Sequence, residues 1–236
     1  MPNSIKLQKY MSDCGFCSRR ESEKLILQGK VFVNEELATI GQRILITDKV
    51  KVNNSILKLE NKKLYILLNK PKNTICTLDD PQKRKTIYDH IKINRYLFSV
   101  GRLDFNTTGV ILITNDGELA NKLAHPSSKI ERQYLVELEK ELSQDKLEFL
   151  NSKNVKLNGK ISKQKVTKIS ETKYLISLYE GRNHHVKNLF LLVENYVKKL
   201  HRKSYGFLTD ENLKIGEFRQ LTETEISMLK NITDIK

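Results

Sequence analysis

In a chain rich in cations, the first residue able to do chemistry is an acid. Asp104 stands in VGRLDFNTTGVILITNDG, residues 100–117, two places after Arg102 and just ahead of a strongly apolar run. Gly101 and Gly109 let the backbone bend on either side, and Asn106, Thr107 and Thr108 can satisfy the polar groups of a turn. Such a setting presents a carboxylate to whatever lies beyond the turn. Arg102 is near enough in sequence to bind a phosphate or to pair with the acid. The plain alternative is that Asp104 merely caps its turn.

A second group lies in YEGRNHHVKNLF, residues 179–190. A helix over 183–194 puts His184 and Lys187 three apart, and Lys187 and Leu191 four apart, on one face, while Val186, Phe190 and Val193 grip the core. From Arg182 to Lys203 there are six Lys or Arg and one acid, Glu194, a local charge of +5. A solvated basic face would explain that equally well. The neighbours His184 and His185 diverge around a helix and make a poor metal pair. Tyr134, in KIERQYLVEL, shares a strand face with Val136 and Leu138, as an ordinary core tyrosine does. Beside a pocket that receives a base, the same ring can stack on it and its hydroxyl can move a proton. CGFC, with Cys14 and Cys17, lacks the second ligand pair of a structural zinc site, so these read as idle thiols and no metal is expected.

Positioning such residues requires two kinds of element. Residues 1–60 read as two helices and a small sheet. Ile5, Leu7, Tyr10 and Met11 predict a short helix broken at Gly15, and Ser18 with Glu21 makes a capping box for a second helix that runs to Gln28 and stops at Gly29. KVFVN, ATIGQRILI and DKVKVN then alternate as strands. Arg19 and Arg20 fall in the first turn of the second helix, where the macrodipole disfavours cations and an anion would relieve the repulsion. Arg19, Arg20 and Lys24 are therefore candidates for contact with an RNA backbone, with a solvated basic surface as the plain alternative.

A lysine-rich linker near 60–63 leads to a buried strand over Leu64–Leu68, where a second unit, 61–236, begins. YLFSV and GVILIT read as strands, followed by a helix from Asn115 or Asp116 to Ala124, the strand RQYLVEL and a helix near 143–151. A hairpin at Asn158-Gly159, the strand KYLISLY, the helix 183–194, strands near 197–221 and a last helix capped by Thr222 with Glu225 complete the chain. The order is α+β, with a mostly antiparallel mixed sheet expected, rather than a repeating βαβ.

Composition bounds the partner. The 236 residues, 39% of them apolar, suffice for two folded cores, and a formal charge of +14 suits a polyanion, with nucleic acid foremost. No apolar run reaches the roughly 18 residues of a membrane span, and MPNSIKLQKY lacks the apolar core of a signal peptide, so a cytoplasmic protein away from membranes is expected. Three cysteines, Cys14, Cys17 and Cys76, cannot all pair with one another, which agrees with a reducing compartment.

KLQKYMSDCGFCSRRESEKLILQGKVFVNEELATIGQRI resembles the S4 RNA-binding domain over roughly residues 5–50, by its SRR opening, the Gly29 stop and the V-x-V-N hairpin. NKPKN, GRLDFNTTGVILITNDGEL, the Tyr of RQYLV, EGRNHHVKNLF, HRKSYGF and GEFRQL stand in the order and spacing of the pseudouridine synthases of the ribosomal small-subunit/large-subunit type with an N-terminal S4 domain. This resemblance covers nearly the whole chain. It implies that Asp104 is the catalytic nucleophile, that Tyr134 is the active-site tyrosine and that Lys187 is the basic partner of the acid. Arg102, Leu103, Arg182, Asn183 and His184 are expected to bind substrate. Many members carry an Arg-rich stretch after EGRN, whereas this chain has His184, His185, Val186, Lys187 and Asn188, which keeps a charge but not a bidentate fork.

The implied reaction detaches N1 of uracil from ribose and reattaches the ring through C5, so nothing is added and no cofactor is required. Asp104 could attack the ring, attack C1′ or support a glycal-like intermediate; the sequence does not choose. The expected partner is ribosomal RNA or an assembling subunit, acted on by a monomer, and GFCSRRE looks closer to large-subunit than to small-subunit members. Two other readings compete: a non-catalytic RNA-binding or ribosome-assembly protein on the same fold, and a metal-dependent nuclease built on Asp79, Asp80, Asp89, His90 and Asp116, acids that lack a ligand pattern.

Overall fold

The computed structural model describes residues 4–59, 62–93 and 95–234. They fall into two compact units, one drawn from Met1–Leu64, Ile93–Leu97 and Thr114–Gly117, the other from Tyr65–Lys92, Phe98–Ile113 and Glu118–Lys236. Glu60 and Asn61, which begin the linker expected near 60–63 and flank the expected boundary, lie outside the described residues.

In the first unit the helices Leu7–Asp13 and Arg19–Leu27 pack on a four-stranded sheet in the order Glu36–Leu37, Val31–Val33, Val50–Val52, Ser55–Ile56. Leu7, Met11, Ile26, Val31, Ile44 and Val50 form its core. Gly15 and Gly29 take φ of +71° and +69°, a region costly for side-chain-bearing residues, and so end the two helices. Ser18 Oγ accepts from the Glu21 amide at 3.1 Å, as the cap signal required. Ile5 is not helical. Ile5–Lys6 is extended and pairs antiparallel with Arg43–Ile44, and the Leu7 amide donates to the Gln42 carbonyl at 2.9 Å, so tertiary pairing overrides the apolar spacing that favoured a longer helix. Arg43–Ile44 accordingly lies outside the four-stranded sheet.

The second unit is built on a mixed sheet in the order Gln164–Lys168, Lys173–Leu178, Arg132–Leu138, Val197–Tyr205, Thr108–Thr114, Tyr65–Lys70, Phe218–Gln220. Phe98–Ser99 pairs with Thr108–Thr114, and Leu208–Thr209 with Val197–Tyr205. Every residue of Tyr65–Lys70 and Thr108–Thr114 is buried, the pattern of central strands covered on both faces. Arg132–Leu138 alternates instead and buries Tyr134, Val136 and Leu138. Val197–Tyr205 runs antiparallel to Arg132–Leu138 and parallel to Thr108–Thr114, where His201 faces Thr108 and Arg202 faces Gly109. The core joins Leu67, Val110 and Leu112 to Leu119 and Leu123 of the helix Gly117–Ala124 and to Leu229 of the helix Glu223–Asp234. A capping box opens the last helix: the Thr222 amide donates to Glu225 Oε2 at 2.8 Å and the Glu225 amide to Thr222 Oγ1 at 3.2 Å.

Three expectations change. The helix expected over 183–194 spans only His185–Leu191, because His184 at φ +50° precedes it and Glu194 at φ +56° follows it. YLFSV pairs as a strand only at Phe98–Ser99, and the next helix starts at Gly117 rather than at Asn115 or Asp116. The Asn158-Gly159 hairpin forms as its sequence dictates, with both residues at positive φ between Lys156–Leu157 and Lys160–Ile161.

Candidate active site

A cavity of about 940 Å³ opens in the second unit and is lined by, among others, Arg102, Leu103, Asp104, Tyr134, His184, Lys187, Leu200 and Arg202. Asp104 begins the turn between Phe98–Ser99 and Thr108–Thr114, which closes through the Thr107 amide on the Asp104 carbonyl at 3.0 Å. Turn closure therefore uses the backbone and leaves the carboxylate outward. Lys187 Nζ lies 2.6 Å from Asp104 Oδ2, and His184 Nε2 lies 3.6 Å from Oδ1. The helix His185–Leu191 is pinned by buried Val186, Leu189 and Phe190, which turns Lys187 toward the acid. Arg102 is exposed at the rim, and the side chains beside the acid are those of Lys187 and His184.

The turn has a clamp that the sequence reading passed over. Lys70, the last residue of an entirely buried strand, has no exposed surface, and its ammonium donates to the carbonyls of Thr107 at 2.8 Å, Pro71 at 3.0 Å, Asp104 at 3.1 Å and Phe105 at 3.3 Å. One buried cation thus gathers the backbone from Asp104 to Thr107 against the end of its own strand. Burial pushes its pKa down to about 8. Cys76 secures the preceding residue: its thiol bonds the Leu103 carbonyl at 3.4 Å and accepts from the Leu103 amide at 3.4 Å, and burial raises its pKa. A lysine closing an apolar strand was the available signal for Lys70.

Arg182 is placed differently from expectation. All five of its N–H groups are taken up by the protein: two by Glu180, at 2.7 and 3.2 Å, and the others by the carbonyls of Leu157 at 3.1 Å, Lys160 at 3.0 Å and Ile161. Its guanidinium fastens the 156–161 hairpin and has no donor left for substrate. Next to it, buried His185 bonds Ser162 Oγ through Nε2 at 2.7 Å, Ser162 donates onward to Gln164 Oε1 at 2.7 Å, and Gln164 Nε2 donates to the Leu150 carbonyl. The serine proton is committed to Gln164, so His185 is the donor at Nε2, and burial pushes its pKa down to about 4. Leu103 is buried, Asn183 and His184 are exposed, and the Asn183 carbonyl accepts from Asn188 Nδ2 at 3.2 Å.

Tyr134 is 9% exposed and stands opposite Arg202 across the antiparallel pairing, so both side chains leave the same face of the sheet. Arg202 is 2% exposed; its Nε donates to the Val110 carbonyl at 2.7 Å, and its guanidinium lies 5.4 Å from the centre of the Tyr205 ring. Gly109, opposite Arg202 on the parallel side, has φ +112°, and a Cβ there would lie 2.2 Å from the Arg202 carbonyl oxygen.

Arg19, Arg20 and Lys24 belong to the other unit. Arg19 and Arg20 are exposed in the first turn of their helix, and Lys24 pairs with Glu21 at 3.0 Å. The three cysteines are free; burial pushes Cys14 to about 11 and raises Cys17, which suits unreactive thiols. The acids of the nuclease reading are employed locally: Asp80 chelates Arg84 at 2.8 and 3.0 Å, and Asp89 accepts from the Thr86 amide at 2.6 Å. Among the described residues no three His, Cys, Asp or Glu gather in a group able to hold a metal ion.

Comparison with known proteins finds relatives across the chain. Residues 64–192 match the family model described as RNA pseudouridylate synthase, and residues 5–50 match the S4 domain. The chain is 36% identical to ribosomal large subunit pseudouridine synthase B of Bacillus subtilis over 243 residues, covering 97% of each protein. It is 35% identical over 256 residues to the protein of that name from Pseudomonas aeruginosa, where it spans 64% of the relative's length. A crystal structure of a pseudouridylate synthase superposes with a TM-score of 0.70 at 30% identity, over 96% of this chain and 100% of that one. The chain belongs to the RNA pseudouridylate synthases, isomerases of RNA, and carries an S4 domain before the catalytic fold.

Proposed function

We propose that the protein isomerises a specific uridine of ribosomal RNA, in the large subunit, with Asp104 as the reacting carboxylate. The observation that carries this is the 2.6 Å contact of Lys187 with Asp104 in a cavity walled by Tyr134. A flipped uracil fits between them: Tyr134 stacks on the base, Asp104 meets the ring or sugar, and Lys187 supplies the counter-charge. Arg102, Leu103, Asn183 and His184 contact the flipped nucleotide, while Arg182 holds the hairpin beside it. Residues 1–60 form an RNA-binding domain whose Arg19, Arg20 and Lys24 meet phosphates, and residues 61–236 form the catalytic domain. The protein works as a monomer in the cytoplasm, away from membranes and without a cofactor; among the described residues no helix is long and apolar enough to cross a membrane. Two of the relatives above, named for the large ribosomal subunit, support the choice of substrate. A protein that only bound RNA would have no use for an outward carboxylate lodged among cations. The test is chemical mapping of pseudouridine in rRNA from cells with and without the protein. Loss of one large-subunit modification is expected, and identical maps overturn the reading.

A further inference from the structure

We propose that Arg202 is a catalytic residue whose guanidinium holds the negative charge that uracil carries while it is detached from the ribose. This rests on the isomerase reading of the cavity.

Arg202 is a buried cation with donors to spare. Its Nη2 is buried with no hydrogen-bond partner, and among the described residues no carboxylate pairs with it. A buried guanidinium N–H without an acceptor costs free energy, since it gave up water and received nothing. Nearby Lys70 is a second buried cation, and the charge of Arg202 helps to push its pKa down. Arg202 on the cavity wall thus has a second buried cation behind it, and Asp104, the acid beside them, is already engaged by Lys187.

Placement says which anion would compensate it. Arg202 leaves the sheet beside Tyr134, and both line the cavity with Asp104. Being 2% exposed, it is out of reach of phosphates running over the surface, whereas a base that enters the cavity comes to it. Its Nε bond to the Val110 carbonyl holds the fork in place beforehand, so little reorganisation accompanies charge development.

Such a group lowers the barrier whether Asp104 meets the sugar or the ring. When the C1′–N1 bond breaks, its electron pair stays on the base and spreads over N1, O2 and O4, while the sugar fragment is left positive and met by the Asp104 carboxylate. The ring turns, C5 bonds to C1′, the C5 proton leaves and N1 ends protonated, so proton and charge balance. If Asp104 instead adds to the ring first, the charge again rests on the base oxygens. A fixed guanidinium donating to a carbonyl oxygen stabilises the anion more than the neutral base, which lowers the barrier rather than tightening ground-state binding.

The experiment varies the acidity of the ring. A fragment of large-subunit rRNA containing the mapped uridine is synthesised with uridine or with 5-fluorouridine at that position; fluorine withdraws electrons and makes the uracil anion easier to form. Single-turnover loss of the N-glycoside is followed by nucleoside chromatography for the wild type, Arg202→Gln and Arg202→Lys, with RNA affinity measured separately. Expected for Arg202→Gln is a slowing of about 100-fold or more on uridine, at least about tenfold less slowing on 5-fluorouridine, and a Kd within about threefold of wild type, with partial recovery in Arg202→Lys. Equal slowing on both substrates, or a loss confined to Kd, overturns the proposal. If Arg202→Gln does not fold, Arg202→Lys decides by the same ratio. A wild-type protein that forms no pseudouridine on the fragment refutes the isomerase reading itself, whereas an active wild type with an unchanged ratio refutes this inference alone.

Discussion

Lys187 and Asp104, 83 residues apart in the chain, meet at 2.6 Å, and the acid is the end of that pair left free to act because its turn is closed by backbone. If the carboxylate only capped its turn, Asp104→Asn would keep the shape and the acceptor oxygen and change little. As the reacting group it has no substitute. Asp104→Asn is expected to lower pseudouridine formation by at least about three orders of magnitude, with RNA affinity and unfolding midpoint near wild type. Near-normal product from purified variant would defeat the assignment.

Lys187→Met keeps most of the stem and removes the charge. Both partners are about one-third exposed, so stability should change by less than about 1 kcal/mol while turnover falls by about 100-fold or more. Lys187→Arg should keep part of the activity, because the charge survives with altered donor geometry. Single-turnover rates beside a thermal melt separate the two effects, and normal turnover by the methionine variant would show that the pairing is idle.

The legibility of this site in sequence was uneven for a physical reason. Asp104 and Lys187 lie in segments whose turn and helix signals are local, so spacing brought them into view as candidates, while the family resemblance supplied their roles and their pairing. Lys70 and Arg202 look like two more cations among 42 Lys and Arg, because their importance comes from burial that only strand pairing creates. Alternation along Leu200, Arg202 and Ser204, buried in turn, was the faint mark of an inward-facing arginine. Long strands such as Arg132–Leu138 and the hairpin at Asn158-Gly159 followed from periodicity and turn chemistry. The Ile5–Lys6 pairing depended on partners 37 and 39 residues away, which no local pattern encodes.

Lys70 gives the reaction an alkaline limb. Its folded pKa, about 8, lies below the ordinary lysine value of roughly 10.4, so the folded protein sheds this proton first and the group's contribution to stability rises with pH between the two values. The clamp on the turn, however, loses one of its three N–H donors at that step. Activity should therefore fall as pH rises through about 8, without a matching fall in stability attributable to this group. A single-turnover rate that stays flat to pH 9.5 would rule the clamp out as a control on Asp104.

His185 acts at the opposite end. Its pKa is depressed to about 4, so the unfolded chain binds the proton first as pH drops below roughly 6.5. Stability held above that value is lost progressively down to about pH 4, by up to about 3 kcal/mol, and no further below it. His185→Gln should be less stable than wild type at pH 7 and should lose less between pH 7 and 4.5. Parallel melting curves for the two proteins over that range would exclude the histidine as the source.

For the S4 domain, Arg19→Ala, Arg20→Ala and Lys24→Ala together should weaken RNA binding and flatten its dependence on log salt. Because Lys24 is already paired with Glu21, the slope should shrink by about two charges rather than three. Turnover on saturating RNA should persist. An unaltered salt slope would remove these side chains from the phosphate contact.

The clearance at Gly109 sets a dimension of the whole site. A side chain there would strike the Arg202 backbone at 2.2 Å, so the strand that leads away from Asp104 and the strand that bears Arg202 are spaced by a hydrogen atom. Width across the reaction centre is thus fixed by an omission. Side chains around the cavity can be exchanged for chemistry or for sequence preference while the gauge stays the same, but any methyl at this one position would pry acid and arginine apart together.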